Sequence, residues 1–231
     1  RARPPPTPRV HPAMADQRPI WTSGEHGYNT YRIPSLLTTS SGTVLAFCEG
    51  RVSDPGDQGA IHTLVMRSED NGESFSEQQV IWEDGDATCG NPCPVQDAAT
   101  GVIHLLLCWN RGDDTEAEIV ARASHDTRRV YVTRSSDDGR SWSAPEDITD
   151  AVKLPEWTWY ATGPGCGIQL SAGSPHPGRL VVPCDHVATV EGRVGSPDTD
   201  GNIEPLPWFS HVIFSDDGGG TWELGGVAPA D

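Results

Sequence analysis

Apolar and polar residues alternate in three widely spaced segments of the chain, and each segment is rich in β-branched residues. These segments are AIHTLVMR (60–67), RRVYVTR (128–134) and WFSHVIF (208–214). Alternation with a period of two predicts half-buried β-strands. The same eight-residue pattern, Ser-x-Asp-x-Gly-x-Ser/Thr-aromatic, follows each strand, starting at residues 68, 135 and 215. The chain is therefore organised by a repeat of strand and turn.

The repeated pattern has the chemistry of a tight turn between two strands. An Asp side chain accepts hydrogen bonds from backbone N–H groups of its own turn, and Gly adopts positive φ at no steric cost. We therefore interpret these residues as turn-formers rather than paired acid/base groups. They are Asp70 and Gly72, Asp137 and Gly139, and Asp217 and Gly219.

Two further strands are predicted before each of these turns. They lie at 31–38 and 43–48, at 91–96 and 101–109, and at 166–170 and 179–184. With the strand that begins at the aromatic residue of the turn, each unit holds four strands, which is the blade of a β-propeller. Helical periodicity is confined to EAEIVARA (116–123). The predicted class is all-β.

Composition narrows the range of partners. The hydrophobic fraction of 35% together with 25 glycines is ordinary for a globular protein, and this excludes a wholly disordered chain. No apolar run approaches the roughly 20 residues of a membrane helix. The 33 acidic and 16 basic residues give a net charge of −17. So acidic a surface disfavours nucleic acid and anionic lipid as partners.

The N-terminal segment 1–20 is rich in Pro and Arg and has no apolar core of a signal peptide. We interpret it as a linker or the remnant of a leader, with Met14 as a possible true start. The length and spacing of the repeat leave room for only three units, so we also expect both ends of the chain to be cut ends of a longer protein.

Cysteine usage points to core packing rather than to a metal site. Cys48, Cys108 and Cys184 lie in or at the ends of apolar segments, where cysteine behaves as a small hydrophobic residue. Cys89 and Cys93 are spaced more widely than a zinc knuckle, and no second ligand pair follows them. We expect no metal and no cofactor, and the cellular compartment stays open.

The residues of most chemical interest break the repeat. Arg32 lies in a strand otherwise suited to burial, and in a propeller the innermost strand of each blade lines the central channel, so Arg32 would point into that channel; the alternative is an arginine on the exposed face. Arg51 ends the next strand and opens a loop that contains Asp54 and Asp57. Two arginines at neighbouring strand ends can clamp a carboxylate in a bidentate manner. Spacing alone does not decide between a general acid and a solvated turn for the two aspartates.

These motifs together resemble the exo-α-sialidase (neuraminidase) family of glycoside hydrolases, over residues 20–231. The resemblance rests on the three boxes and on YRIP (31–34), LAFCEGR (45–51), GDQGAIHTLVMRS (56–68), CGNPCPVQDAATG (89–101), WYATGPGCGIQL (159–170) and GRLVVPCDH (178–186). It implies a six-bladed β-propeller that cleaves terminal sialic acid from glycans. This chain would supply about three blades, at about 28–85, 86–150 and 157–231.

The resemblance also implies roles for the residues that break the repeat. Arg32 matches the first arginine of the family's triad, which binds the sugar carboxylate. Arg51 matches the arginine that supports the pocket. Asp57 matches the acid/base catalyst, with Asp54 as the fallback because the loop length varies.

Further matches concern the wall and rim of the pocket. Asn91 matches a pocket position, and the segment 157–165, with Tyr160, and Asp185 resemble rim elements that contact the arms of the sugar. Core packing is the alternative interpretation of these rim residues. Ala60 and His62 depart from the acidic residues that relatives often carry, which leaves the nearby wall undefined.

The resemblance implies a retaining mechanism with a Tyr nucleophile, since sialidases depart from the scheme of two carboxylates. The Glu base, the Tyr and the remaining triad arginines are not identifiable here, and Glu223 is too close to the third box to be that base. We therefore expect the N-terminal half of a sialidase, inactive alone.

The alternative is a non-catalytic Asp-box propeller that binds glycans or proteins. Another Asp-box glycosidase, or one acting on a related nonulosonic acid, is a smaller possibility, and linkage preference and trans-sialidase activity stay open.

Overall fold

The structure, a computed structural model, describes residues 18–188 and 207–228, so all but the last three residues of segment 1–20 lie outside it. The described residues form thirteen strands and two short helices. In chain order they are β1 Thr30–Thr38, β2 Val44–Arg51, β3 Ile61–Ser68, β4 Gln79–Trp82, β5 Thr88–Gln96, β6 Ile103–Asn110, α1 Glu116–Val120, β7 Arg129–Ser135, β8 Glu146–Asp147, α2 Thr149–Val152, β9 Trp157–Thr162, β10 Ile168–Gln169, β11 Leu180–Ala188, β12 Trp208–Ser215 and β13 Glu223–Val227. The all-β class predicted from the alternation is confirmed.

The strands form three successive antiparallel meanders. The first runs β1-β2-β3-β4 and the second β5-β6-β7-β8. A single parallel pair, Ile61 with Thr88, joins these two into one sheet. The third meander forms a separate sheet, in which β9 and β10 both pair with β11, followed by β12 and β13. Each meander ends in one of the repeated turns and a short outer strand.

The first strand of the third meander differs from the prediction. A strand is predicted at 166–170, whereas the structure has β9 upstream and only two residues of β10 within the predicted range. Gly163 and Gly165 take φ values of 90° and 85°, and Pro164 lies between them. Positive φ leaves the β region, and proline lacks a ladder donor, so the inner strand is divided at this point.

The predicted helix at 116–123 is shorter than expected. Thr115 and Glu118 form a capping box at its start: the Thr115 N–H donates to Glu118 Oε2 at 2.9 Å, and the Glu118 N–H donates to Thr115 Oγ1 at 3.3 Å. The helix ends at Val120 because Arg122 adopts a φ of 57°. Neither helix of the described chain is long and apolar enough to cross a membrane.

The core lies between neighbouring meanders. One cluster joins the second and third meanders and is built from β-branched, aromatic and cysteine side chains, including Cys93, Cys108, Val132, Tyr160 and Cys184. A second cluster, with Leu45 and Phe47 from β2 and Leu105 from β6, joins the first and second. All six cysteines are free, and Cys48, Cys108 and Cys184 are buried as predicted.

The three boxes share one hydrogen-bond pattern. In the first, Asp70 Oδ1 accepts from Ser68 Oγ at 2.7 Å and from the Ser74 N–H at 2.9 Å, while Oδ2 accepts from Ser74 Oγ at 2.6 Å. Bonds from Ser74 and then Ser68 lower the pKa of Asp70 to about 2. Asp137 and Asp217 make the equivalent bonds, and their pKa values are also lowered to about 2. Each carboxylate is thus engaged within its own turn.

The box glycines also form the contact between meanders. A methyl group on Gly139 of the second box would lie 2.9 Å from Cδ2 of Leu45 on β2. A methyl group on Gly219 of the third box would collide with the His104 ring on β6. For Gly72 of the first box, no heavy atom of the described residues beyond its chain neighbours comes within 4 Å of that position. The second and third boxes therefore pack against the second strand of the preceding meander.

Candidate active site

Two bulges shape the strands that carry the site. In β1 the register shifts between Arg32 and Ser35, and Ile33, directly before Pro34, has a φ of 54°. In β5 the register shifts between Gly90 and Cys93, and Asn91, directly before Pro92, has a φ of 55°. A bulge re-aims the side chains beside it. The sequence signal of these bulges is the X-Pro step that recurs in the first strands of the first two meanders.

The clamp suggested by the sequence forms around Asp57. Asp57 Oδ1 lies 3.0 Å from Arg32 Nη1 and 2.8 Å from Arg51 Nη2. Arg51 Nη1 also donates to the carbonyls of Pro55 and Gly56, both at 2.7 Å. Arg51 is buried, whereas the side chains of Arg32 and Asp57 are 44% and 49% exposed. One rigid and one accessible guanidinium therefore share a single loop carboxylate.

Asp54 takes a different position from Asp57. Its Oδ1 accepts the backbone N–H of Gly56 at 2.7 Å, which is a local turn bond within the loop. Of the two loop aspartates, the structure places Asp57 against both arginines. His62, one of the departures from the family pattern, contacts Tyr28 at 2.9 Å and does not line the cavity described below.

Glu49 is a site residue that sequence reasoning missed. Its side chain is 3% exposed, and its Oε2 accepts from Arg51 Nε at 3.1 Å and Nη2 at 2.6 Å. Its Oε1 accepts the backbone N–H of Asn91 at 2.8 Å. Glu49 therefore orients Arg51 and holds the bulge of β5 at the same time. The available signal was a charged residue inside the otherwise apolar strand LAFCEGR.

Arg128 is a second missed residue, and it connects the second and third meanders. Its two terminal nitrogens donate to the side-chain oxygens of Asn91 and Asn110, and its Nε donates to the Tyr160 carbonyl at 2.7 Å. Its guanidinium carbon lies 4.1 Å from the centre of the Trp159 ring, a cation–π distance. Asn91 thus reaches the site through its contact with Arg128.

These side chains enclose a small polar cavity of about 180 Å³. It is lined by Ile33, Glu49, Arg51, Asp57, Ile61, Thr88, Asn91, Glu116, Arg128 and Trp159. Burial raises the pKa of Glu116, and the charge of Asp57 raises it further, against the opposing effect of Arg128. The cavity places two buried arginines among carboxylates, which gives a strong local field in a protein that is anionic as a whole.

The predicted rim residues divide between the core and a second cavity. Tyr160 is fully buried in the core, and its hydroxyl lies 3.0 Å from His211 Nε2, so its side chain is not on the rim. This corrects the rim interpretation: the ring faces the packed side of β9, and only the Tyr160 carbonyl contacts the site, through Arg128. Trp159, from the same segment, does line the site cavity.

Asp185 lies on β11 and lines a different cavity, with Gly163, Pro164 and His211. Its Oδ1 is buried and has no hydrogen-bond partner among the described residues. Burial raises the pKa of Asp185 to about 6, Arg128 opposes that shift and Glu116 adds to it. Asp185 is therefore electrostatically coupled to the site without lining its cavity.

One group in the described chain has the composition of a metal site. The ligand atoms of Asp113, Asp114 and His125 lie within 4.8 Å of one another. Asp114 already accepts the backbone N–H groups of His125 and Asp126 at 2.7 and 3.0 Å, and Asp113 is paired with Arg111 at 2.9 Å. Donors of the protein thus satisfy these carboxylates, which hold the loop before β7 together. Among the described residues, Cys89 and Cys93 belong to no group of potential metal ligands.

The arrangement has a definite chemical capacity. Two guanidinium groups directed at one carboxylate can bind a carboxylate ligand, with a fork geometry that favours bidentate contact. The carboxylate they now hold belongs to the loop after β2, and its side chain is 49% exposed, so it is accessible from solvent. One place therefore holds two guanidinium groups and a carboxylate that they share.

Comparison with known proteins places this site in a family context. The family model for the BNR repeat-like domain matches residues 42–230. The exo-alpha-sialidase of Aspergillus fumigatus is 35% identical over 174 residues, covering 68% of this chain and 41% of that protein. Human sialidase-4 is 35% identical over 209 residues, covering 87% of this chain and 40% of that protein.

Among solved structures, a Hadza microbial sialidase superposes with a TM-score of 0.71 at 29% identity, covering 90% of this chain and 39% of that one. The chain therefore spans about two fifths of the length of the relatives it matches.

Proposed function

This chain belongs to the BNR repeat-like family of sialidases, a glycosidase lineage, and on that premise we propose that it forms the N-terminal part of a retaining exo-α-sialidase. The substrate is a terminal sialic acid on a glycoprotein, glycolipid or oligosaccharide. Alone, the chain is inactive, because the Glu base, the Tyr nucleophile and the other triad arginines are not identifiable in it.

The observation that carries this proposal is the shared ion pair of Asp57 with Arg32 and Arg51, at 3.0 and 2.8 Å. Sialic acid has a carboxylate on its anomeric carbon. A ligand bound through that carboxylate by the arginines places its glycosidic oxygen beside the loop that carries Asp57. Binding and proton transfer then act on neighbouring atoms of the same sugar.

In the first step of the proposed mechanism, the Glu base takes the phenolic proton of Tyr as the Tyr oxygen attacks the anomeric carbon and the glycosidic C–O bond breaks. The leaving oxygen takes the proton of Asp57. In the second step, Asp57 takes a proton from water, whose oxygen forms the new bond to the anomeric carbon as the bond to Tyr breaks and the Glu returns its proton to the Tyr oxygen. Two inversions give overall retention. Arg32 and Arg51 neutralise the sugar carboxylate throughout.

We further propose that the three meanders are three blades of a six-bladed propeller, with boundaries at about 28–85, 86–150 and 157–231. The bare position beside Gly72 supports this proposal, because Gly139 and Gly219 each cover a residue of the preceding meander. In a closed ring, the second strand of the last blade would cover Gly72 in the same way. An open arc of three blades leaves its end faces without neighbours.

The test uses the full-length gene product and a fluorogenic α-sialoside. We expect turnover in the wild type and a loss of at least about a thousandfold in Asp57→Ala, as for removal of a general acid and base. Asp54→Ala is the matched control from the same loop, and we expect it to stay within about threefold of wild type, since Asp54 makes only a turn bond. Wild-type turnover in Asp57→Ala would refute the assignment.

The competing function is a non-catalytic Asp-box propeller that binds glycans or proteins. Either function is compatible with the hydrogen bonds that the box aspartates, Asp70, Asp137 and Asp217, accept within their own turns. The ion pair of Asp57 favours the enzyme, since binding alone does not require a movable carboxylate at the clamp. Sialoside binding without any turnover by the full-length wild type would favour the binding module.

A further inference from the structure

Lys153 is the single lysine of the chain, and it is buried directly after α2. Its Nζ donates to Thr127 Oγ1 at 2.7 Å, to the Arg128 carbonyl at 2.6 Å and to the Thr158 carbonyl at 2.7 Å. An ammonium group has three N–H donors, so all of them are used. The charge of Lys153 is thus satisfied internally.

The three acceptors are grouped around two residues of the candidate site. Two belong to Arg128 and its neighbour Thr127, and the third belongs to Thr158, which precedes Trp159. Arg128 and Trp159 form the cation–π pair that lines the site cavity. Lys153 therefore ties together the two backbone segments from which the members of this pair project.

From this geometry we propose that Lys153 is a positioning residue of the candidate active site, and that it acts through Arg128 and Trp159. This inference rests on the proposed function for its kinetic consequence. Since Arg128 also holds Asn91, and Glu49 holds Asn91 and Arg51, the influence of Lys153 reaches the arginine clamp through direct contacts.

Two other roles for a buried lysine fit the structure less well. Lys153 borders a cavity of about 690 Å³ that Arg122, Asp126 and Asp150 also line. Binding an anion there would require a free N–H, and all three already have acceptors. Burial lowers the pKa of Lys153 to about 7, but a nucleophilic amine must give up one of these bonds before it can react. A positioning role requires only the three hydrogen bonds that Lys153 already makes.

The kinetic experiment substitutes Lys153 in the full-length gene product. Lys153→Met keeps the length of the side chain and removes its donors. We expect KM for the sialoside to rise at least about tenfold, with a smaller change in kcat, because misplacing a group that lines the binding cavity weakens binding. The matched control is Thr149→Val on α2, which removes the hydrogen bond that the Val130 N–H donates to the Thr149 hydroxyl at 2.9 Å, at a residue that does not line the site cavity.

We expect both variants to lower the melting temperature and only Lys153→Met to raise KM. A double variant separates positioning from general destabilisation. Because Lys153 acts through the pair of Arg128 and Trp159, Lys153→Met combined with Arg128→Leu should raise KM by clearly less than the two single effects added as free energies. Equal KM in Lys153→Met and Thr149→Val, or additive effects in the double variant, would overturn the proposal.

A second arm does not depend on turnover. The Arg128 Nε–H donates to the Tyr160 carbonyl, so its NMR signal should be protected from exchange with water, and Arg128→Leu identifies that signal by its absence. We expect exchange to accelerate in Lys153→Met and to stay slow in Thr149→Val. Unchanged protection in Lys153→Met refutes the positioning role even if the wild type turns out to be no sialidase. Lost protection with no wild-type turnover refutes only the proposed function.

Discussion

Arg32 on β1 and Asp57 in the loop after β2 form an ion pair of 3.0 Å across 25 residues of sequence. The same carboxylate oxygen lies 2.8 Å from Arg51. The arginines that would bind a substrate carboxylate therefore hold one supplied by the protein itself. Under the proposed function, an incoming carboxylate replaces Asp57 at the two arginines, and this replacement frees Asp57 to face the ligand.

The first prediction concerns this competition. In the full-length protein, Asp57→Ala should bind free sialic acid about fivefold more tightly than wild type, since it removes roughly 1 kcal/mol of like-charge repulsion at a half-exposed site. Arg32→Leu should bind more weakly. Isothermal titration calorimetry at low salt measures both. Weaker binding by Asp57→Ala would show that Asp57 helps to hold the ligand instead of competing with it.

The second prediction concerns Glu49. Glu49→Gln should lower the free energy of unfolding by about 3 kcal/mol, because the buried guanidinium of Arg51 loses its buried counter-charge and keeps only the half-exposed Asp57. Glu146→Gln is the control: it removes an ion pair with Arg134 whose glutamate is 57% exposed, and should cost less than about 1 kcal/mol. Urea unfolding of the two variants measures both losses in the free energy of unfolding. Equal costs would mean that Arg51 finds another partner.

The third prediction separates backbone strain from packing between meanders. Gly72, Gly139 and Gly219 all have positive φ, so alanine at each adds about 1 kcal/mol of strain. Alanine at 139 or 219 also meets Leu45 or His104, which adds about 1–3 kcal/mol. In the 231-residue chain, Gly72→Ala should therefore be the mildest in thermal unfolding. In a closed propeller, Gly72→Ala should cost as much as the others.

The fourth prediction concerns acid stability. His186 and His211 are buried with their Nδ1 atoms 3.0 Å apart. Burial lowers the pKa of His186 to about 4 and that of His211 to about 3, from an ordinary value of 6.5. Below pH 6.5 the unfolded chain binds protons that the folded chain does not, so stability falls as the pH falls, and the slope flattens near the folded values.

Urea unfolding between pH 6.5 and 4.5 tests this sign. His211→Asn should reduce the slope of unfolding free energy against pH by up to about 1.4 kcal/mol per pH unit. The box aspartates act in a separate window: their pKa values of about 2 lie below the ordinary 3.8, so their contribution is lost only below about pH 3.8. An unchanged slope in His211→Asn would contradict the prediction.

The sequence alone determined the local structure of this protein. Alternation located most strands, because the side-chain period of a strand is a local property. The boxes were visible because their hydrogen bonds are local: Asp70 and Gly72 both bond to the hydroxyl of Ser68, two and four residues earlier. Arg32, Arg51 and Asp57 stood out because they interrupt patterns that are otherwise suited to burial. The division of the third inner strand was missed, since two glycines with positive φ around Pro164 override the pattern of apolar residues.

Only the tertiary structure decided which side chains meet at the site. Glu49 of the first meander contacts Asn91 of the second across 42 residues, and Arg128, directly before β7, contacts Asn91 of β5 across 37 residues within the second meander. Tyr160 and Trp159 are adjacent in sequence, yet one lies in the core and the other lines the cavity. Strand neighbours face opposite sides, and which side is core depends on the packing of the next meander. Local pattern therefore identified the catalytic candidates, while packing between meanders assigned the residues that hold them in place.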